Sequence, residues 1–248
     1  MNRLLVALLL LLTVTGPLDA QRRRGGRGRG ESAGPIAANT ENIHEFTFVR
    51  LQYSGGGYNP GWVHDYPRAE RNFAKILETV TLLEPYMGGS NILRLDDPEL
   101  FKYPLAYLSE PGSWNMNEAE VDGLRNYLLK GGFLIVDDFG GWDWQNFELQ
   151  MRRALPALQP MRLDLQHPIF NSFFDIRDIV FPYSYRGTAE FLAYFEDNDP
   201  EKRMLVVANY NTDIGEFWEY SDMGFIPIDL SNEAYKLGVN YLMYAIMH

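Results

Sequence analysis

Phe133-Leu134-Ile135-Val136 is a run of four apolar residues with no polar alternation. A strand of that kind has both faces covered, as in a parallel sheet with helices on either side. Gly131-Gly132 precedes the run, and Asp137-Asp138-Phe139-Gly140-Gly141 follows it. Ligands of open α/β sheets sit outside the carboxyl ends of the strands. Asp137 and Asp138 stand at such an end, and they are the first candidates for chemistry. In a regular strand they face opposite sides of the sheet. One is then a candidate general base, nucleophile or ligand, and the other a cap for the helix expected from Trp142.

The rest of the chain supplies the layers around that strand. Phe46 to Tyr53 is rich in aromatic and β-branched residues and predicts a strand. The loop Ser54-Gly55-Gly56-Gly57-Tyr58-Asn59-Pro60-Gly61 follows. A helix is predicted to start near Asp65, with Pro67 in its first turn and Ala69, Phe73, Ile76, Leu77 and Val80 on its inner face. Short strands are predicted at 91–95 and 105–108. Asn117 and Glu120 form a capping-box pattern ahead of Val121, Leu124, Tyr127 and Leu128. A helix is predicted over 142–155, a strand at 161–165 and a buried strand over 204–209. The last helix is predicted to be capped by Ser231. Residues 168–200 break the alternation and read as an irregular excursion. The order implies a single three-layer α/β domain, residues 43–248, with a mostly parallel sheet.

The ends and the charge add further expectations. Met1-Asn2-Arg3, the apolar stretch 4–14 and a cleavage site after Ala20 form a secretory signal pattern over residues 1–20. The apolar stretch is too short to cross about 30 Å of hydrocarbon as a helix. Residues 21–42 read as a disordered Arg/Gly-rich linker, whose arginines offer weak contact with an anionic membrane. Periplasmic or secreted localisation follows. The chain has no cysteine, so disulfides, thiolate metal sites and thiol nucleophiles are excluded. It carries 22 basic and 33 acidic residues, and residues 1–35 hold six of the arginines but only two acids. The remainder has 16 basic against 31 acidic side chains. A domain of net charge −15 repels phosphate backbones, which argues against nucleic acid as a partner.

The loop Ser54–Gly61 with His64-Asp65-Tyr66-Pro67-Arg68-Ala69-Glu70, the Gly-Gly-Phe-Leu-Ile-Val-Asp-Asp-Phe-Gly stretch, His167-Pro168-Ile169 and Leu237-Gly238-Val239-Asn240-Tyr241, together with the signal pattern, resemble the bacterial family known as domain of unknown function 4159. The resemblance runs from Phe46 to the C-terminus. It implies a flavodoxin-like sheet akin to the class I glutamine amidotransferases. It also implies a place in bacterial envelopes, often beside ATPase and von Willebrand-type proteins. In amidotransferases a cysteine occupies the turn where Asp137-Asp138-Phe139-Gly140 stands here. Thioester chemistry, which needs a thiolate, is therefore excluded.

Several residues are candidates for the site. Asp137, Asp138, His64 and His167 are the catalytic candidates. Arg50, Tyr53, Gly56, Asp65, Arg68, Gly140 and Asn209 are candidates for binding a ligand, with the arginines as partners for phosphate or carboxylate. His64 and His167 with one of the aspartates would make a two-His, one-carboxylate metal set, but no ligand spacing in the sequence supports it. No metal or other cofactor is expected. The leading expectation is a non-amidotransferase envelope module that binds a small ligand or a protein partner. The alternative is a hydrolase or sugar-modifying enzyme using Asp137 or Asp138 with a histidine.

Overall fold

A computed structural model describes residues 36–41, 46–55, 60–179, 188–224 and 226–248. Seven strands form one sheet: β1 (Phe46–Gln52), β2 (Pro85–Arg94), β3 (Leu105–Ser109), β4 (Phe133–Phe139), β5 (Met161–Arg162), β6 (Glu190–Phe195) and β7 (Met204–Tyr210). Their order is β2-β1-β3-β4-β7-β6-β5. The first five of that order pair in parallel, and β6 and β5 extend the sheet in antiparallel fashion. The parallel part is the doubly wound, flavodoxin-like arrangement, whose strand order reverses between β1 and β3.

Alternation along the central strands divides the core in two. Phe48, Tyr107, Ile135 and Val207 face α1 (Arg68–Val80), α4 (Ile214–Glu219) and α5 (Ile228–Met247). Val49, Leu108, Val136 and Ala208 face α2 (Glu118–Leu129) and α3 (Asp143–Ala154). Every residue of β3 and β4 is buried, as expected for strands covered on both sides. Ahead of β1, the Asn39 side-chain amide exchanges two hydrogen bonds with the main chain of Ile92 on β2. Thr40 does the same with the Asn91 side chain. Residues 36–41 thus run beside β2, although they fall within the stretch expected to be linker.

Local chemistry accounts for most element ends. Asn117 and Glu120 make both hydrogen bonds of the capping box at α2. Three expectations need correction. Residues 168–200 contain β6, whose apolar run joins the sheet antiparallel to β7 and therefore needs no crossover helix. The last helix begins at Ile228 behind Pro227, three residues before Ser231. Asp65 does not cap α1 with its side chain, since that helix begins at Arg68. Its carbonyl oxygen instead accepts from Ala69 N at 3.0 Å.

Gly123 shows how tightly α2 is seated. A Cβ there would lie 2.0 Å from the Leu95 carbonyl oxygen and 2.8 Å from its carbon. Alanine normally gains about 1 kcal/mol over glycine inside a helix. Here main chain blocks the space, and overpacking costs about 1–3 kcal/mol. Gly123→Ala is expected to lower the urea midpoint with the slope unchanged. A stabilised variant would show that α2 can shift freely.

Candidate functional site

The site lies at the carboxyl ends of β1, β3, β4 and β7, beside the β1/β3 reversal. A short 3₁₀ turn, Gly61–Val63, follows β1 and presents His64 and Asp65. Glu110 is the first residue after β3, and Asp138 ends the regular part of β4. Asp213 caps α4 just after β7, accepting from Glu216 N at 2.8 Å.

A bulge re-aims the two aspartates of β4. Its register with β7 shifts between Val136 and Phe139, and Asp138 holds a left-handed φ of 59°. Bulges bend a strand and redirect its side chains. Asp137 points to the α4/α5 face, where Tyr107 Oη (2.8 Å), Asn209 Nδ2 (3.0 Å) and Gly215 N (2.9 Å) all donate to it. Asn209 is held in turn by the Tyr241 hydroxyl at 2.9 Å. Asp138 turns instead to His64, with Oδ2 2.8 Å from Nδ1. Neither aspartate caps α3, whose N-cap is Trp142 with no side-chain bond.

His64 is ringed by acid. Its Nδ1 lies 3.5 Å from Asp65 Oδ1 and 3.6 Å from Glu110 Oε1, besides the contact with Asp138. The hydrogen bond to Asp138, followed by the charges of these neighbours, raises the imidazole to about 10 against the opposing effect of burial. His64 is therefore an imidazolium at neutral pH. Burial raises the Glu110 carboxyl to about 7, the Asp138 charge adds to this, and His64 opposes it. Burial also holds Asp65 and Asp213 well above the ordinary carboxylate range. Asp65 and Glu110 share the left-handed backbone of Asp138, with φ of 63° and 48°. Strained φ/ψ in non-glycine residues concentrates at functional sites.

One ligand atom from each of His64, Asp65, Asp138 and Asp213 falls in a group whose members all lie within 4.8 Å of one another. These four residues are the set able to hold a metal ion among the described residues.

Other candidates lie beneath the cleft or away from it. Arg50 is 1% exposed. It is ion-paired with Glu70, and it donates to the carbonyls of Trp62 (3.0 Å) and His64 (2.8 Å). It thus holds the His64 turn from below. Tyr53 is buried, with its hydroxyl against the carbonyls of Ser109 (3.0 Å) and Glu110 (2.6 Å). Arg68 sits on the surface, paired with Asp222 at 2.8 Å. The Gly140 carbonyl accepts from Asp143 N at 3.3 Å. Gly56 lies outside the described residues.

Of the two candidate histidines, His64 stands with Asp138 and His167 lies elsewhere. His167 Nδ1 accepts from Ile169 N at 3.2 Å. Its ring packs 5.4 Å from that of Phe195, which pairs with Met204 at the amino end of β7. A seven-residue strand of about 20 Å separates that end from the site.

Glu110 and Asp213 were not singled out by motif. Glu110 is the first residue after β3 and Asp213 the third after β7, so the carboxyl-end rule applied to every parallel strand would have found them.

Domain of unknown function (DUF4159) matches residues 47–246. The chain belongs to this family. The match takes in all of the sheet but Phe46, together with His64, Asp65, Glu110, Asp138 and Asp213, so the site residues lie within this DUF4159 domain. No curated protein matches the sequence.

Proposed function

We propose that this DUF4159 protein is an exported enzyme whose cleft performs general acid–base chemistry, as a hydrolase or sugar-modifying enzyme. The observation that carries the reading is the 2.8 Å contact between His64 Nδ1 and Asp138 Oδ2 at the switch point of the sheet. A histidine fixed by a carboxylate favours chemistry over passive binding, because catalysis needs a proton carrier of fixed orientation. The protonated His64, 41% exposed, supplies positive charge for an oxyanion or a proton for a leaving group. Glu110, also 41% exposed and raised to about 7, is matched to accepting a proton near neutral pH. Amidotransfer through a thioester is outside its reach, since the chain has no cysteine.

The charge of the cleft limits the substrate. Carboxylates crowd His64, and the domain around it is acidic, so anionic substrates are repelled. Neutral glycosides and neutral acyl esters fit better than phosphates or sulfates.

The test is release of p-nitrophenol from a panel of neutral p-nitrophenyl glycosides and acyl esters. His64→Gln and Glu110→Gln are each expected to lower turnover about 10²–10⁴-fold, with melting temperatures near that of the wild type. Turnover untouched by both substitutions sinks the reading. A panel with no turnover, joined to ligand-induced thermal shifts that survive His64→Gln, returns the cleft to a pure binding role. Export is tested separately, by fractionating cells of the source and sequencing the mature N-terminus. A start at Gln21 is expected.

A further inference from the structure

Four potential ligand residues converge at His64, and one carboxylate among them stands out. The Asp65 side chain is wholly buried. Neither of its oxygens has a hydrogen-bond partner among the described residues. Its nearest cationic group is His64, at 3.5 Å. A buried carboxyl without donors stays ionised only where it coordinates or pairs with a cation, and is otherwise held protonated. Space is also kept clear beside it. A Cβ at Gly215 would fall 2.7 Å from Asp65 Oδ2, so a bare main chain is needed there.

We propose that His64, Asp65, Asp138 and Asp213 bind one divalent transition-metal ion, of the Mn²⁺ or Zn²⁺ type. The inference rests on reading the cleft as a reaction site and deepens it by naming a cofactor. The four donors come from three different strand connections, yet their ligand atoms lie within 4.8 Å of one another. Ligands bonded at about 2.1 Å to one ion stand roughly 3–4 Å apart, so a small contraction suffices. One imidazole with three carboxylates suits Mn²⁺ or Zn²⁺. Ca²⁺ requires six to eight oxygen ligands, and Mg²⁺ keeps several waters. The ion would replace the imidazolium as the positive centre, with Nδ1 giving up its proton. When bound, such an ion polarises a carbonyl or activates a water. Glu110 lies outside the four-residue set, beside His64, and remains placed to take a proton.

Asp65→Asn and Asp213→Asn test the set. Both keep the side-chain shape, and an asparagine at 213 can still cap α4. The EDTA-treated full chain is titrated calorimetrically with MnCl₂, ZnCl₂, MgCl₂ and CaCl₂. One ion per chain is expected, with Mn²⁺ or Zn²⁺ bound at least about 100-fold more tightly than Mg²⁺ or Ca²⁺. Each substitution is expected to weaken that binding by about 100-fold or more, while circular dichroism shows a folded protein. Thermal melts should show the ion stabilising the wild type and losing that effect in both variants. Binding unchanged in Asp65→Asn, or no one-to-one binding of either ion, overturns the proposal. Turnover that survives EDTA and still needs His64 removes the ion while leaving the enzymatic reading intact. A tightly bound ion without turnover on any substrate upholds the ion and removes the enzymatic reading.

Discussion

Arg50→Met is expected to destabilise the domain by about 3–5 kcal/mol, the usual penalty for leaving one half of a buried ion pair uncompensated. Arg50 and Glu70 have side-chain exposures of 1% and 0%. Beyond Glu70, the guanidinium serves the carbonyls of Trp62 and His64 and lies 4.9 Å over the Tyr107 ring. Methionine fills part of the volume but strands the Glu70 carboxylate and two carbonyl oxygens. Arg50→Met with Glu70→Leu should recover much of the loss, because apolar replacements of a buried pair are often neutral. Urea denaturation of the two single variants and the double variant gives the coupling directly. If Arg50→Met costs less than about 1 kcal/mol, the pair does not anchor the turn that bears His64. The double variant should also melt near the wild type while losing activity, because the turn bearing His64 is no longer tied down.

Asp137→Ala is expected to cost a comparable amount, for a different reason. Three donors converge on this one carboxylate, and alanine would leave Tyr107 Oη, Asn209 Nδ2 and Gly215 N facing a void. Each orphaned buried donor costs about 1–3 kcal/mol. Asp137→Asn should be milder, because Asn209 can reverse its amide and the Tyr241 hydroxyl can then accept instead of donate. Burial raises the Asp137 carboxyl to about 6, against the Gly215 N–H and the other donors. An acid whose pKa is raised in the fold binds protons more tightly when folded than when unfolded. Its stability contribution is complete below its ordinary pKa near 4 and is lost as pH rises through about 6. Asp137→Asn should therefore flatten the fall in stability between pH 4 and 6 relative to the wild type. Chemical denaturation across that range measures it, and an unaltered slope would show that Asp137 does not titrate there.

The fold was legible where periodicity and capping agree. The unbroken run at 133–136 and the Asn117–Glu120 pair each specified an element locally. β6 was less visible because an antiparallel strand between β7 and β5 requires neither a crossover helix nor a turn motif nearby. The centre of the site was legible too, since Asp138 and His64 both stood out from the sequence. What the sequence could not disclose was the bulge at Asp138. Regular alternation sends that side chain to the α2/α3 face, and one residue in left-handed backbone sends it to the histidine. Arg50 was legible as a charge but not as a buried one. Its partner Glu70 sits on α1, twenty residues away, and only the packing of α1 on the sheet reveals the pair.

The two side-chain amides beside β2 have a consequence for the behaviour of the domain in company. A strand at the border of a sheet offers unpaired N–H and C=O groups to any extended chain that meets it. Asn39 occupies both main-chain groups of Ile92, and Asn91 is engaged with Thr40. At the far border β5 has two residues, too few to serve as a template. The leading segment thus blocks β2 at Ile92, and β5 is a stub, so each border offers an added strand a shorter run of open main chain than a bare edge of full length would.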